Sequence, residues 1–287
     1  MEIKCWFDKD TNTFTYCVYD SATKDAVVID TVWNFDQASG TLKNTAIALT
    51  KEFIQTRGLR LHFILETHAH ADHITAAQPL KALFPDAKIG VGAHISEVQK
   101  AFKSILNLEE KFAVDGRQFD VLFVDGQEFK AGSIELKVIA TPGHTPACVS
   151  YLIGDAVFVG DALFMPDYGT GRCDFPEGHA EALFNSVQKL YKLPDSTRVF
   201  TGHDYMPNGR PTAWESTIGA QKRDNIQLTG TTTKEQYVAL REARDKTLST
   251  PKLLFPSIQI NIAAGHLPQP EKNGQTYIKL PIAAIEL

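Results

Sequence analysis

The chain has 287 residues, 43% of them hydrophobic, with a formal charge of -5 and a pI near 6.0. It has no lysine- or arginine-rich run, which argues against nucleic acid or a membrane surface as a partner. No apolar stretch approaches the ~18–20 residues of a membrane span, the start Met1-Glu2-Ile3-Lys4-Cys5-Trp6 lacks the apolar core of a secretion signal, and the four cysteines form no CxxC pair. A cytoplasmic protein with reduced thiols is therefore expected.

In chain order, Thr13–Tyr19 and Ala26–Asp30 read as a β-hairpin around a polar turn, and Trp33–Gly40 as loop. From Leu42, Ala46, Leu49, Phe53 and Ile54 keep a helical period that ends at Gly58. Leu61–Glu66 is a short apolar strand. Helices are expected over Pro79–Phe84 and Ile95–Leu106, with a strand at Lys88–Val91 between them. Strands follow at Phe119–Val124 and Ile134–Ile139. Val149–Ile153 and Ala156–Val159 flank Gly154-Asp155 as a tight hairpin. His179–Leu190 reads as helix and Arg198–Thr201 as strand. Beyond residue 205 the pattern changes to helices over Thr212–Ile226 and Thr233–Leu248, then a proline-spaced tail. The alternation points to a layered α/β fold.

The chemistry concentrates after Leu61–Glu66, in Thr67-His68-Ala69-His70-Ala71-Asp72-His73. Alternate side chains of extended backbone share a face, so His68 and His70 can point together. Imidazole and carboxylate are the usual ligands of zinc, iron and manganese. Three further strands end in a polar group at a small-residue turn: Thr141-Pro142-Gly143-His144-Thr145, Gly160-Asp161 and Gly202-His203-Asp204. The ligand candidates are thus His68, His70, Asp72, His73, His144, Asp161 and His203. His62, His94, His179 and His266 lack this context and read as structural or surface groups.

The series THxHxDH, TPGHT, GD and GH resembles the metallo-β-lactamase superfamily over residues 10 to 205. The resemblance implies an αββα sandwich for a catalytic core over residues 1–205, with a helical appendage and tail over 206–287 packed on it. Hydrolytic members hold two metals: here His68, His70, His144 and Asp161 would take the first, and Asp72, His73, His203 and bridging Asp161 the second. Gly171-Arg172-Cys173-Asp174-Phe175, Gly202-His203-Asp204-Tyr205, Leu254–Asn261 and Gly265–Pro268 resemble the persulfide dioxygenases, extending the similarity over nearly the whole chain. That branch implies one Fe(II), on His70, His144 and Asp161, with His68, Asp72, His73 and His203 around it.

The implied reaction oxidises glutathione persulfide with O2 and water to sulfite and glutathione. A glutathione pocket on an acidic protein needs cations, and Arg172, Arg210, Lys222 and Arg223 are expected to supply them, with Tyr205 as a hydrogen-bond donor. The bland alternative for Arg172 is a brace to Asp167 or Asp174. Cys173 stands where threonine or serine is more familiar, which raises the question of thiol chemistry. The rival activity is a binuclear thioester hydrolase of the glyoxalase II kind, since every hydrolase ligand is present. A β-lactamase or a non-catalytic metal-binding module fits less well. A homodimer is expected from the resemblance alone.

Overall fold

A computed structural model describes residues 1–282, so residues 283–287 of the expected tail lie outside the described residues. The first half runs β1 (Glu2–Asp8), β2 (Thr13–Tyr19), β3 (Asp25–Ile29), β4 (Val32–Asp36), β5 (Thr41–Lys43) and α1 (Thr45–Thr56). It continues through β6 (Arg60–Leu65), β7 (Ile74–Thr75), α2 (Ala77–Leu83), β8 (Lys88–Gly92), α3 (Ile95–Ile105) and β9 (Val121–Phe123). The second half has β10 (Glu128–Ala131), β11 (Ile134–Ala140), β12 (Val149–Ile153), β13 (Ala156–Phe158), α4 (Ala180–Leu190) and β14 (Arg198–Phe200). Then come β15 (Glu215–Thr217), α5 (Ile218–Asp224), α6 (Lys234–Asp245) and α7 (Leu254–Asn261).

Two six-stranded sheets result, ordered β1-β2-β3-β6-β8-β9 and β10-β11-β12-β13-β14-β15. The side-chain alternation of each strand sorts the core into layers. Phe14, Tyr16 and Val18 of β2 pack between the sheets with Val138, Tyr151, Phe158 and Phe200, while Cys17 and Tyr19 face outward. That outer face is covered by Ile54 of α1, Leu80 of α2, Phe102 of α3 and Ile258 of α7. The second sheet turns Val157 and Val199 outward against Leu183 of α4, Ile218 of α5 and Tyr237 of α6. This is the αββα sandwich expected from the resemblance. Among the described residues, no helix is long and apolar enough to cross a membrane.

Several local expectations are corrected. Trp33–Gly40 is not all loop, because β4 pairs with both β5 and β7 in a small third sheet. The N-terminal residues form β1, in register with β2 from Glu2↔Tyr19 to Asp8↔Thr13; a half-exposed edge strand carries little periodic signal. The helix of α1 begins at Thr45 and buries Ile47, Thr50 and Ile54, whereas Leu49 is 49% exposed. Thr212–Ile226 is not one helix. Its start pairs with β14 as an edge strand and only Ile218–Asp224 is helical, capped by the Thr217 hydroxyl accepting from Ala220 N. The proline-spaced tail contains α7, in which Pro256 occupies the first turn, where its missing N–H costs nothing.

Candidate metal centre

Strands β3 and β6 run parallel, and the segments leaving their C-terminal ends meet. Asp30, just after β3, accepts from the backbone N–H of Thr67 at 2.7 Å on Oδ1 and from the Thr67 hydroxyl at 2.8 Å on Oδ2. It shapes the His68–His73 loop from within the protein. Gly160, which delivers Asp161, has φ +49°, and a Cβ there would overlap Thr67, so only glycine lets the two segments approach. The strand ends of the second sheet add His144, Asp161 and His203, and Thr13 of β2 bridges to His203.

Each histidine of the cluster has one ring nitrogen engaged by a fixed partner. His70 Nε2 donates to Asp30 Oδ1 at 3.1 Å, with Glu66 Oε2 3.3 Å away. The Thr67 hydroxyl is already committed to Asp30, so it accepts from His68 Nδ1 at 3.0 Å. His144 Nδ1 donates to the carbonyl of Arg172 at 2.7 Å, and His203 Nδ1 to that of Asn12 at 3.2 Å. His73 Nδ1 meets the Thr13 hydroxyl at 3.3 Å. In each neutral ring whose engaged nitrogen donates, the opposite nitrogen carries the lone pair.

His68 Nε2, His70 Nδ1, His73 Nε2, His203 Nε2, Asp72 Oδ2 and Asp161 Oδ1 are buried and have no hydrogen-bond partner. Buried polar atoms are rarely left so, and a whole set converging is the signature of a metal site held from behind. Groups able to hold a metal cluster within 4.8 Å as His68 with His144 and Asp161, and as His70 with Asp72, His73 and His203; a third group, Asp30 with Glu66 and His70, is the hydrogen-bonded set behind His70. The residues present therefore fit one or two metal ions. The expectation had placed His70 with His144 and Asp161. The structure groups His68 with them instead, its ring 4.0 Å from that of His70, because Asp30 and Glu66 draw His70 toward the first sheet.

The electrostatics of the cluster are mixed, with His68 pushed toward the neutral form and His70 and His203 toward the charged one. Burial opposes ionisation of Asp72, but His203 and His73 outweigh it and hold the carboxyl well below its usual range. Burial and then the neighbouring imidazoles push His68 well below the ordinary imidazole range, which keeps its lone pair free. Burial also disfavours charge on His70, yet Asp30 and Glu66 reverse this and raise the ring well above its usual value. Of those two carboxyls, burial pushes Glu66 up, while Asp30 is held low against burial, chiefly by His70.

The centre opens into a cavity of about 530 Å³ whose floor includes Asp72, His144 and Asp161 and whose walls include Phe164, Tyr168, Phe175 and Tyr205. Arg172 lines it, but its guanidinium is committed: Nε and Nη2 grip Asp174 at 2.6 Å each, and Nη1 donates to Ser249 O at 2.8 Å. Tyr205 lines it with its ring 4.7 Å from that of Tyr168. Arg210 is tied to Asp167 and Asp204, Arg223 to Asp224 and Lys222 to Asp195, and none of the three lines the cavity. Cys173 lies behind the wall, buried, and burial pushes its thiol well above the usual range.

Glycine-punctuated strand ends of two packed sheets that converge on five histidines and two aspartates leave one assignment. The chain belongs to the metallo-β-lactamase superfamily. The pattern of that superfamily matches residues 10–203. The chain is 47% identical to a "Beta-lactamase hydrolase-like protein" of Xylella fastidiosa, over 98% of this chain and 64% of that one, so it spans less than two thirds of that relative's length. It is 34% identical to the mitochondrial persulfide dioxygenase ETHE1 of Bos taurus, over 69% of this chain and 66% of that one. The crystal structure of ETHE1 from Myxococcus xanthus superposes with a TM-score of 0.73 at 32% identity, covering 93% of this chain and 100% of the other. Within the superfamily the similarity thus reaches the persulfide dioxygenase branch.

Sequence reasoning passed over four residues that build the site. Asp30 carried a signal, a carboxylate closing an apolar strand. Glu66 stood inside the strand that delivers the loop. Asn261 and Arg244 carried none, because their parts depend on how α6 and α7 fold back.

Proposed function

We propose that the chain is a mononuclear iron persulfide dioxygenase acting on glutathione persulfide. The observation that carries this reading is the set His68, His144 and Asp161, two imidazoles and one carboxylate, of which His144 and Asp161 line the cavity. Such a set suits ferrous iron in oxygen-using enzymes. Similarity to the persulfide dioxygenases supports it. On this grouping the third ligand is His68 rather than His70, and His70, Asp72, His73 and His203 surround the ion.

When bound, ferrous iron supplies activation of O2 beside the persulfide sulfur. The protein's own residues do the rest. The Thr67 hydroxyl and the Arg172 carbonyl orient the His68 and His144 rings as ligands. Phe164, Phe175, Tyr168 and Tyr205 wall the cavity and limit water around a sulfur anion. Asp72 and His203, 3.3 Å apart, can orient the water that the reaction consumes. The overall change is balanced: persulfide, O2 and H2O give sulfite, thiol and two protons. A cytoplasmic setting and a homodimer are part of the same proposal.

The test is anaerobic loading with Fe(II), then O2 uptake and sulfite release on glutathione persulfide. One iron per chain and persulfide-dependent O2 consumption are expected. The second reading, a binuclear thioester hydrolase, is favoured by the completeness of the His70, Asp72, His73 and His203 group. Two metals per chain, S-lactoylglutathione hydrolysis and no O2 uptake would replace the first reading with the second.

A further inference from the structure

The cavity above the metal centre is lined by four cationic side chains, Arg172, Arg241, Arg244 and Lys252. Two of them are spent inside the protein. Arg172 grips Asp174 and Ser249 O. Arg241, 1% exposed, donates to Asp245, to Thr170 O and to Gln227. Arg244 and Lys252 have no ion-pair or side-chain hydrogen-bond partner among the described residues. The Arg244 guanidinium carbon stands 5.5 Å from the Tyr168 ring centroid, and that ring packs on Tyr205, whose ring lies 5.8 Å from His203. A file of aromatic rings thus leads from the free guanidinium down to the metal centre. The segment bearing Leu248, Ser249, Pro251 and Lys252 forms the same wall, held in place by the Arg172 contact to Ser249.

We propose that Arg244, assisted by Lys252, is the carboxylate-binding end of this cavity and selects thiol carriers that bear a carboxylate. This rests on the persulfide reading for the sulfur end and adds the group that anchors the other. Arg244 contrasts with Arg172, Arg210, Arg223 and Arg241 of this region, each of which is held by a carboxylate. A guanidinium presents a fork that matches a carboxylate, and its placement over an aromatic face leaves its edge free. The other charged groups of the lining are acidic, Asp8, Asp10, Asp72 and Asp161. A carrier with a chain of phosphates brings more negative charge against these aspartates than a small peptide-like thiol, whose carboxylate the two cations can take.

The test uses the metal-loaded protein and S-methylglutathione, which carries the carboxylates but no reactive sulfur. Calorimetry should show Kd rising at least ~10-fold in Arg244→Ala, as expected for loss of a charge-assisted hydrogen bond, less in Lys252→Ala, and partial recovery in Arg244→Lys. The diethyl ester of the same ligand should bind the wild type no better than the acid binds Arg244→Ala. Wild-type metal content and an unchanged melting profile establish that the variants are folded. Equal affinity of wild type and Arg244→Ala, or an ester that binds as well as the acid, overturns the proposal. If affinity depends on Arg244 while the iron-loaded wild type consumes no O2 with persulfide, the carboxylate end stands and the dioxygenase reading falls. If O2 is consumed and the Kd is indifferent to Arg244, the reverse holds.

Discussion

The side-chain amide of Asn261, at the end of α7, donates to the backbone carbonyl of His70 at 2.7 Å. The same nitrogen donates to His73 O at 2.8 Å, and its Oδ1 accepts from Thr75 N at 2.9 Å. A residue 191 positions along the chain from His70 therefore closes the open backbone groups of the metal loop. Asn261 is itself buried.

Asn261→Ala should lower metal affinity ~10-fold or more, in line with loss of groups that orient ligands, and destabilise the fold by ~2–3 kcal/mol through unsatisfied buried carbonyls. Asn261→Asp should do the same, since an ionised carboxylate cannot donate to the two carbonyls. Chelator competition and apo-protein melting measure the two effects. Unaltered affinity in both variants would show that α7 only covers the loop.

Arg172 and Asp174 form a two-pronged pair on the cavity wall. If Arg172 acts as a brace, Asp174→Asn should reproduce much of the KM increase of Arg172→Ala, at ~3–10-fold, because either change frees the segment around Ser249. Had Arg172 gripped substrate directly, Asp174→Asn would leave KM unchanged or lower it. Steady-state kinetics on the two variants separates these outcomes.

Asp25, at the start of β3, joins the two sheets. It accepts from Arg60 Nε at 3.0 Å and Ser133 N at 2.8 Å, and meets His62 Nε2 at 2.7 Å. His62 and then Ser133 hold its carboxyl well below the usual range, against the effect of burial. A carboxyl with a depressed folded pKa stabilises the protein above its unfolded value, ~3.9, and loses that contribution as pH falls through the folded value. Asp25→Asn should therefore lower Tm at neutral pH, and the gap to wild type should narrow as the pH drops below ~4. A gap independent of pH would remove the carboxylate's charge from the explanation.

Cys173 is buried, with its backbone N–H bound to Asp245 Oδ2 at 2.9 Å and its thiol raised by burial. A thiol in that state supplies no thiolate at neutral pH. Cys173→Ser should keep kcat/KM within ~2-fold, at a stability cost of ~1 kcal/mol for the buried hydroxyl. A large loss of turnover in a protein with full metal content would restore a chemical role for the sulfur.

Much of the fold was legible because buried strands such as Val149–Ile153 and amphipathic helices such as Ile95–Ile105 carry periodic patterns that local sequence displays. The errors have a shared cause. Glu2–Asp8 and Glu215–Thr217 are strands only because a neighbour offers them an edge, and Leu254–Asn261 is a helix whose apolar face matters only where it lands on the first sheet. None of these contexts is local.

The sequence by itself determined the inventory of candidate ligands, since His68, His70, Asp72, His73, His144, Asp161 and His203 sit at glycine- or threonine-marked strand ends whose spacing is visible in one dimension. Only the tertiary structure decided how those groups sort, with His68 rather than His70 beside His144 and Asp161, and which cations reach the cavity. Ligand type is a property of a residue and its neighbours in the chain. Which nitrogen is free, or which guanidinium is already paired, depends on Asp30, Thr67, Asp174 and α6, brought together by burial of two sheets and their helices.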